Sequence, residues 1–380
     1  LADGTVKYFD AWDKLASVWN ASGATIKLLK STDTANLTST NGKLTIDFNG
    51  NTLTVTKDTS NSDYAAAIVL VSGAELTLKD STGNGGMTTT NVYGIEVQSG
   101  STVTIESGTY NCDTSVVQVD NGNAYIKGGT FKTEDTDKSY LLNCIDDAFA
   151  AKTAVIEVTG GTFHGFDPSA NPEGEGTTYV MPGYVSTNNG DGTYTVDTIK
   201  VAQIGETKYA TLTDAIAAAT DDDTITLLAD INTPETTYKI TKSLTIDLNG
   251  KTVTGSGYDG VFEVTGENVN VVINATNGGK VIAVENNGSA GKYAMAIWMC
   301  GAGSTLTING GEFSQNITNT SDPQMDMIYA SAGKIIINSG KFESGTPKWT
   351  LNVLDSAYKA GTANIIVNGG TFVGYDPRNA

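Results

Sequence analysis

Few residues in this chain have the types and spacing that chemistry requires. Asp146 and Asp147 follow the apolar run 141–145, and Asp355 stands at the matching place in a second copy of the same unit. Paired carboxylates are the usual acid and base, or acid and nucleophile, of glycoside cleavage. The two copies align over 140–149 and 349–358, where Asp147 is replaced by Ser356, so a two-carboxylate mechanism is confined to one copy. A simpler reading makes each Asp the cap of a short helical insert begun at Ala148 or Ala357. The binding alternative is a sugar-facing patch. Tyr140 or Trp349 would be its stacking platform, and Asn143, Asp146, Asn352 and Asp355 would bond hydroxyls.

Other reactive types are scarce. The single histidine, His164, is Val373 in the sister copy, and the single arginine is Arg378 near the chain end. There is no Ser/His/Asp set, no Cys/His metal spacing and no phosphate loop. Asp221-Asp222-Asp223 is the one stretch that suggests calcium, but consecutive carboxylates on a turn are usually solvated, and the first copy has Ser22-Gly23-Ala24 there. No cofactor is implied beyond that weak calcium signal. The stretch 188–192 lacks the twelfth-position glutamate of a calcium loop and reads as a hairpin turn. Trp298 and Tyr293 alternate with apolar residues and read as core. Cys112 and Cys144 lie on neighbouring repeats, where a bridge can be considered; Cys144 otherwise reads as a small buried hydrophobe.

The elements that must position these residues are repeats. Gly-Gly-Thr-Phe occurs at 128–131, 160–163 and 369–372, with looser copies at 107–110, 310–313 and 339–342. Each follows a short alternating apolar strand. The aromatics Tyr110, Phe131 and Phe163 are spaced by 21 and 32 residues, and Phe313, Phe342 and Phe372 by 29 and 30. Such steps fit one turn of a parallel β-helix, whose turns must stack to bury their inward residues. A β-sandwich is the competing fold. Larger blocks also recur: 43–54 returns at 243–254, an offset of 200, and 162–168 returns at 371–377, an offset of 209. The chain therefore reads as two tandem all-β solenoid modules, 1–183 and 201–380. A hairpin or linker at 184–200 closes the first. Amphipathic stretches at 11–19 and 212–219 read as capping helices, the second with Thr213 as N-cap.

Composition agrees. Gly is frequent at 43 of 380 residues, Pro scarce at 7, and the strands are rich in Val, Ile and Thr. A formal net charge of −19 disfavours nucleic acid, anionic membranes and polyanionic substrates. No apolar run reaches membrane-spanning length. Leu1 in place of a methionine reads as the start of a piece of a longer protein.

With these motifs in view, the chain resembles a right-handed parallel β-helix of the pectate-lyase-like class. More narrowly, 209–219, 223–228 and 243–250, with the hairpin 183–194, resemble a module of large bacterial secreted and surface proteins. The resemblance implies an extracellular or cell-surface setting and a non-enzymatic structural or adhesion role. Its implied partners are surface glycans or host or bacterial surface proteins, with weak carbohydrate binding along one face and a monomeric chain. Related coils form phage or virion fibres and spikes, which would imply a trimer at a virion surface. Others are polysaccharide lyases or hydrolases, whose arginine base or histidine-containing motifs this sequence lacks.

Overall fold

The computed structural model describes residues 6–36, 38–57, 66–135, 137–138, 140–174, 176–288, 291–317 and 325–379. The chain forms two compact units, 1–199 and 200–380. Each is a stack of parallel strands in three sheets.

In the first unit one sheet takes Ser22–Lys27, Lys43–Asp47, Glu75–Lys79, Ser101–Ile105, Gly122–Ile126 and Ala154–Val158 in chain order. A second takes Thr32–Thr34, Thr52–Thr56, Gly86–Thr90, Thr109–Asn111, Thr130–Lys132 and Gly161–His164. The third takes Thr38–Thr40, Ala66–Leu70, Tyr93–Val97, Val117–Val119 and Leu142–Cys144. Successive strands of a sheet are separated by visits to the other two, so each circuit of the chain is one rung of a parallel β-helix. The right-handed sense is the rule for parallel crossovers.

The second unit repeats the plan. Its third sheet is built from Tyr238–Ile240, Phe262–Val264, Ile297–Met299, Ile328–Ala330 and Leu351–Val353.

Like residues stack on like from rung to rung. Ile26, Ile46, Leu78, Ile105, Ile126 and Val158 form one buried column in continuous register. Ile225, Ile246, Ile273, Ile308 and Ile337 form its counterpart. Full burial of such side chains is worth about 1.5–3 kcal/mol each. At the glycine corner the aromatics stack nearly parallel. Tyr110 and Phe131 lie 5.3 Å apart, Phe131 and Phe163 4.9 Å, Phe313 and Phe342 5.2 Å, and Phe342 and Phe372 4.9 Å.

Glycine is required there for two reasons. Gly340 has φ +129°, and a Cβ on it would stand 3.0 Å from the Gly311 carbonyl oxygen and 3.2 Å from the Phe342 ring. The aromatic two residues on folds back over the glycine, so any side chain would meet both the previous rung and the ring.

The duplicated Asp-x-Asn-Gly block is a second corner. Asp247 Oδ1 accepts from the Asn249 amide in its own rung and from the Thr276 amide in the next, both at 3.0 Å. Asn249 donates back to the Leu227 carbonyl at 2.9 Å. Asp47 and Asn49 repeat the arrangement with Ser81 and Leu28. Burial raises the Asp247 carboxyl, but the Thr276 hydroxyl, which donates to its Oδ2, and then the Thr276 and Asn249 amides outweigh burial and hold it below the usual carboxylate range. A third device is an amide ladder in which Asn309, Asn338 and Asn368 each donate at 2.9 Å to the Asn one rung earlier, beginning at Asn274.

The first cap is a short 3₁₀ turn, Trp12–Ser17, with Trp12 and Trp19 rings 5.0 Å apart. The second is the helix Leu212–Ala218, preceded by a hairpin of Ala202–Ile204 and Thr207–Tyr209. Its N-cap is Thr211 rather than Thr213: the Thr211 hydroxyl accepts from the Asp214 amide at 3.0 Å, which places the helix start two residues earlier.

Gly340→Ala should lower the unfolding free energy by about 1–3 kcal/mol, since it combines a strained φ with a backbone contact. Asp247→Ala should cost a similar amount, about 1–3 kcal/mol, by leaving two corner amides unpaired. Urea unfolding midpoints at constant slope would measure both; a change within about 0.5 kcal/mol for either would contradict its corner role.

Candidate functional site

The sequence-derived candidates fall on the third sheet and its flanks. Asn143 and Asn352 are the outward-facing centres of the last third-sheet strands. Asn143 donates to Gln118 Oε1 at 2.8 Å, and Asn352 donates to Asp326 Oδ1 at 3.0 Å. Asp146 and Asp355 lie one turn away as the exposed first residues of the helices Asp146–Ala150 and Asp355–Lys359. The N-caps are Ile145 and Leu354, without side-chain bonds, so each Asp acts on the helix terminus through its charge instead of by capping. Tyr140 is 45% exposed in the turn before its strand. Trp349 ends a 3₁₀ turn half-buried, with the Lys348 ammonium 5.2 Å from its ring centre. The sheet brings Asn143 and Asn352 into ladders with residues of earlier rungs; Asp146 and Asp355 stand apart from them.

The outward column of the second unit is the most functional-looking surface. Register places Lys239 beside Glu263, Glu263 beside Trp298, Trp298 beside Tyr329 and Tyr329 beside Asn352. Neighbouring strands are about 4.8 Å apart, so the five side chains form one continuous strip. Each is flanked by two inward residues, as Ile297 and Met299 flank Trp298.

Trp298 therefore is not core. It faces outward, half-buried, with Nε1 donating to Ser331 Oγ at 2.8 Å. Tyr293 is also partly exposed and meets Tyr258 edge-on at 5.4 Å.

Charge in the strip is paired and shielded. The Lys239 ammonium lies 2.9 Å from Glu263 Oε2, and Glu263 is 5% exposed. That contact raises the lysine above its ordinary value. Burial pushes the Asp326 carboxyl up to about 6, against the Asn352 hydrogen bond that lowers it. Burial, and then Asp326, raise the Tyr329 phenol. In the first unit the equivalent column is Ser39, Val69, Glu96, Gln118 and Asn143, which offers no aromatic ring.

The remaining candidates are structural. Asp221 accepts from the Ser243 amide and Asp223 from the Thr220 amide, so two of the three consecutive carboxylates bind backbone. No group of three His, Cys, Asp or Glu side chains converges among the described residues. Cys112, Cys144 and Cys300 are free thiols, so Cys112 and Cys144 are not bridged; burial pushes Cys112 and Cys144 to about 12 and Cys300 to about 11. Arg378 is tied to Asp376 in its own loop at 2.8 Å. His164 pairs with Thr193 of the closing hairpin. Among the described residues no helix is long and apolar enough to cross a membrane.

Asp326 gives the strip a pH signature. Its folded pKa of about 6 lies above the ordinary 3.8, so the folded state holds the proton more tightly. Stability from this group is greatest below the lower value, falls as pH rises through that window, and stays low above it. The loss should be on the order of 2 kcal/mol, and Asp326→Asn should abolish it. Urea titrations of both proteins at pH 4 and pH 6.5 measure this; parallel stabilities for the two would contradict the assignment.

Compared with protein-family models, curated proteins and solved structures, the chain matches none.

Proposed function

We propose that the chain is a non-enzymatic structural and adhesion module of an extracellular or cell-surface protein, of the pectate-lyase-like class found in bacterial secreted and surface proteins. Its ligand is carbohydrate, bound by the outward column of the second unit. The observation that carries this reading is the strip Lys239, Glu263, Trp298, Tyr329 and Asn352. Aromatic faces accept the C–H faces of sugar rings, while the exposed Lys239 ammonium and the Asn352 amide exchange hydrogen bonds with hydroxyls. The parallel ladders hold the strip's backbone before any ligand arrives, which reduces the ordering cost of binding. The acidic surface and the nearby Asp326 favour neutral or amino sugars over uronic acids.

A second reading, glycoside cleavage, has one observation in its favour: the raised Asp326 resembles a general acid kept protonated by burial. Its Oδ1 already accepts a hydrogen bond from Asn352, so binding is preferred.

An array of neutral, amino and uronic oligosaccharides tests the proposal. The intact chain should retain neutral or amino glycans. Trp298→Ala should weaken retention by about tenfold, as expected for loss of one stacking contact worth about 1–1.5 kcal/mol. A blank array, or retention indifferent to both Trp298→Ala and Tyr329→Ala, would remove the proposal. Release of reducing ends that disappears in Asp326→Asn would replace it with the enzymatic reading.

A further inference from the structure

Asn352 stands beside Tyr329 at the end of the outward strip, and its Nδ2 donates to Asp326 Oδ1 at 3.0 Å. An ionised carboxylate only accepts hydrogen bonds, so it fixes which end of a carboxamide it receives. The amino end turns to Asp326. The Asn352 oxygen is left without a partner among the described residues, on a side chain that is half-buried.

The backbone around Asp326 is held on both sides. Gln315 Nε2 donates to the Met325 and Asp326 carbonyls at 3.1 and 3.3 Å. The Thr346 hydroxyl donates to the Met325 carbonyl at 2.8 Å, and the Met327 amide donates to the Trp349 carbonyl at 3.0 Å. The carboxyl is thereby tied to its own rung and to the next.

The first unit orients the matching residue in the same way. Asn143 donates to Gln118 Oε1 at 2.8 Å, and Gln118 donates in turn to Asp120 Oδ1 at 3.2 Å. A carboxylate again draws the amide nitrogen and leaves the asparagine oxygen over. Asn143 stays half-buried although Glu173, on the Cys144 amide, and Val180, on Val158, close that end of the coil. Exposure at this position therefore does not depend on where a unit stops.

We propose that Asp326 is a positioning residue of the carbohydrate site: it turns the Asn352 oxygen toward the ligand and so selects an N-acetylated amino sugar, whose acetamido N–H that oxygen accepts. This rests on the strip being the binding surface. A sugar hydroxyl gives or takes a hydrogen bond and fits either end of a carboxamide, whereas an N–H only donates and needs the oxygen. Protonated Asp326 gains an O–H donor, which binds the Asn352 oxygen and turns the amino end outward, so the preference for N–H is lost in acid. The groups around Asp326 leave this switch to it. Tyr329, raised first by burial, stays neutral over the range concerned. Leu351–Val353 faces Asp326 with Asn352, and Glu312–Asn316 faces it with the neutral Gln315. The turn Pro347–Trp349 brings Lys348, whose ammonium lies over the Trp349 ring.

The test compares tri-N-acetylchitotriose with cellotriose, which carries hydroxyls in place of the acetamido groups. Calorimetry at pH 7.5 and pH 5 brackets the Asp326 pKa of about 6. In the intact chain the ratio of the two affinities should fall by about threefold in acid, the effect of one weakened hydrogen bond. Asp326→Asn keeps a partner for Asn352 but does not titrate, so its ratio should be the same at both pH values. Trp298→Ala should weaken both sugars. If it does, and the ratio ignores pH or moves equally in Asp326→Asn, the proposal fails and the strip reading stands. If neither sugar binds, or both ignore Trp298→Ala, the strip reading fails and takes the proposal with it. The Asn352 side-chain amide resonances give a readout without sugar: they should shift with a midpoint near pH 6 and stay fixed in Asp326→Asn. A flat titration in the intact chain would overturn the orientation of Asn352 whatever the sugars do.

Discussion

Both units depend on one constraint: each inward residue must sit on another apolar residue one rung away, in several columns one of its own kind. Parallel strands in register set each inward side chain directly on the one before it, and the columns of isoleucine and the stacks of phenylalanine use that alignment. The near-parallel rings at 4.9–5.3 Å show how tightly the constraint is met. The glycine corner follows from it. A ring can lie over the turn only if the residue beneath lacks a side chain, and the rung can close only if that residue accepts positive φ. Asp247 and Asn249 add the polar half of the same device by tying three consecutive rungs at one corner.

Because the interior is committed to stacking, chemistry is left to the outward positions, and these also repeat in register. The two units show how the same scaffold yields different surfaces. In the first, the third-sheet column is Glu96, Gln118 and Asn143, joined partly by side-chain amide bonds. In the second, two of the same positions become Trp298 and Tyr329. No change of fold is needed to convert a polar ladder into an aromatic strip. The carboxylates that looked most like catalytic residues, Asp146 and Asp355, fall outside the columns because they start the helical inserts.

The coil was legible because its signals are local and repeated: a strand, a glycine corner and an aromatic, with Tyr110, Phe131 and Phe163 in direct register. The strip was harder to see. Third-sheet strands of the second unit are three residues long, and the single outward residue of Ile297–Met299 lies between two apolar neighbours, so Trp298 reads as core from sequence. The signal was present in the triplets Phe262-Glu263-Val264, Ile297-Trp298-Met299, Ile328-Tyr329-Ala330 and Leu351-Asn352-Val353. Alignment by rung gives their central residues a common face. The Thr211 cap was missed for a related reason: two threonines stand two residues apart at the start of the apolar run, and only backbone geometry separates them.

Rung-on-rung stacking is tested most directly by a double-mutant cycle on Phe313 and Phe342, whose rings lie 5.2 Å apart at 10°. Unfolding free energies of Phe313→Leu, Phe342→Leu and the double variant give the coupling between the two rings. Stacking predicts a coupling of about 0.5–1.5 kcal/mol beyond the sum of the single effects. Additivity to within about 0.3 kcal/mol would contradict it, because the rings would then be buried side by side without supporting one another.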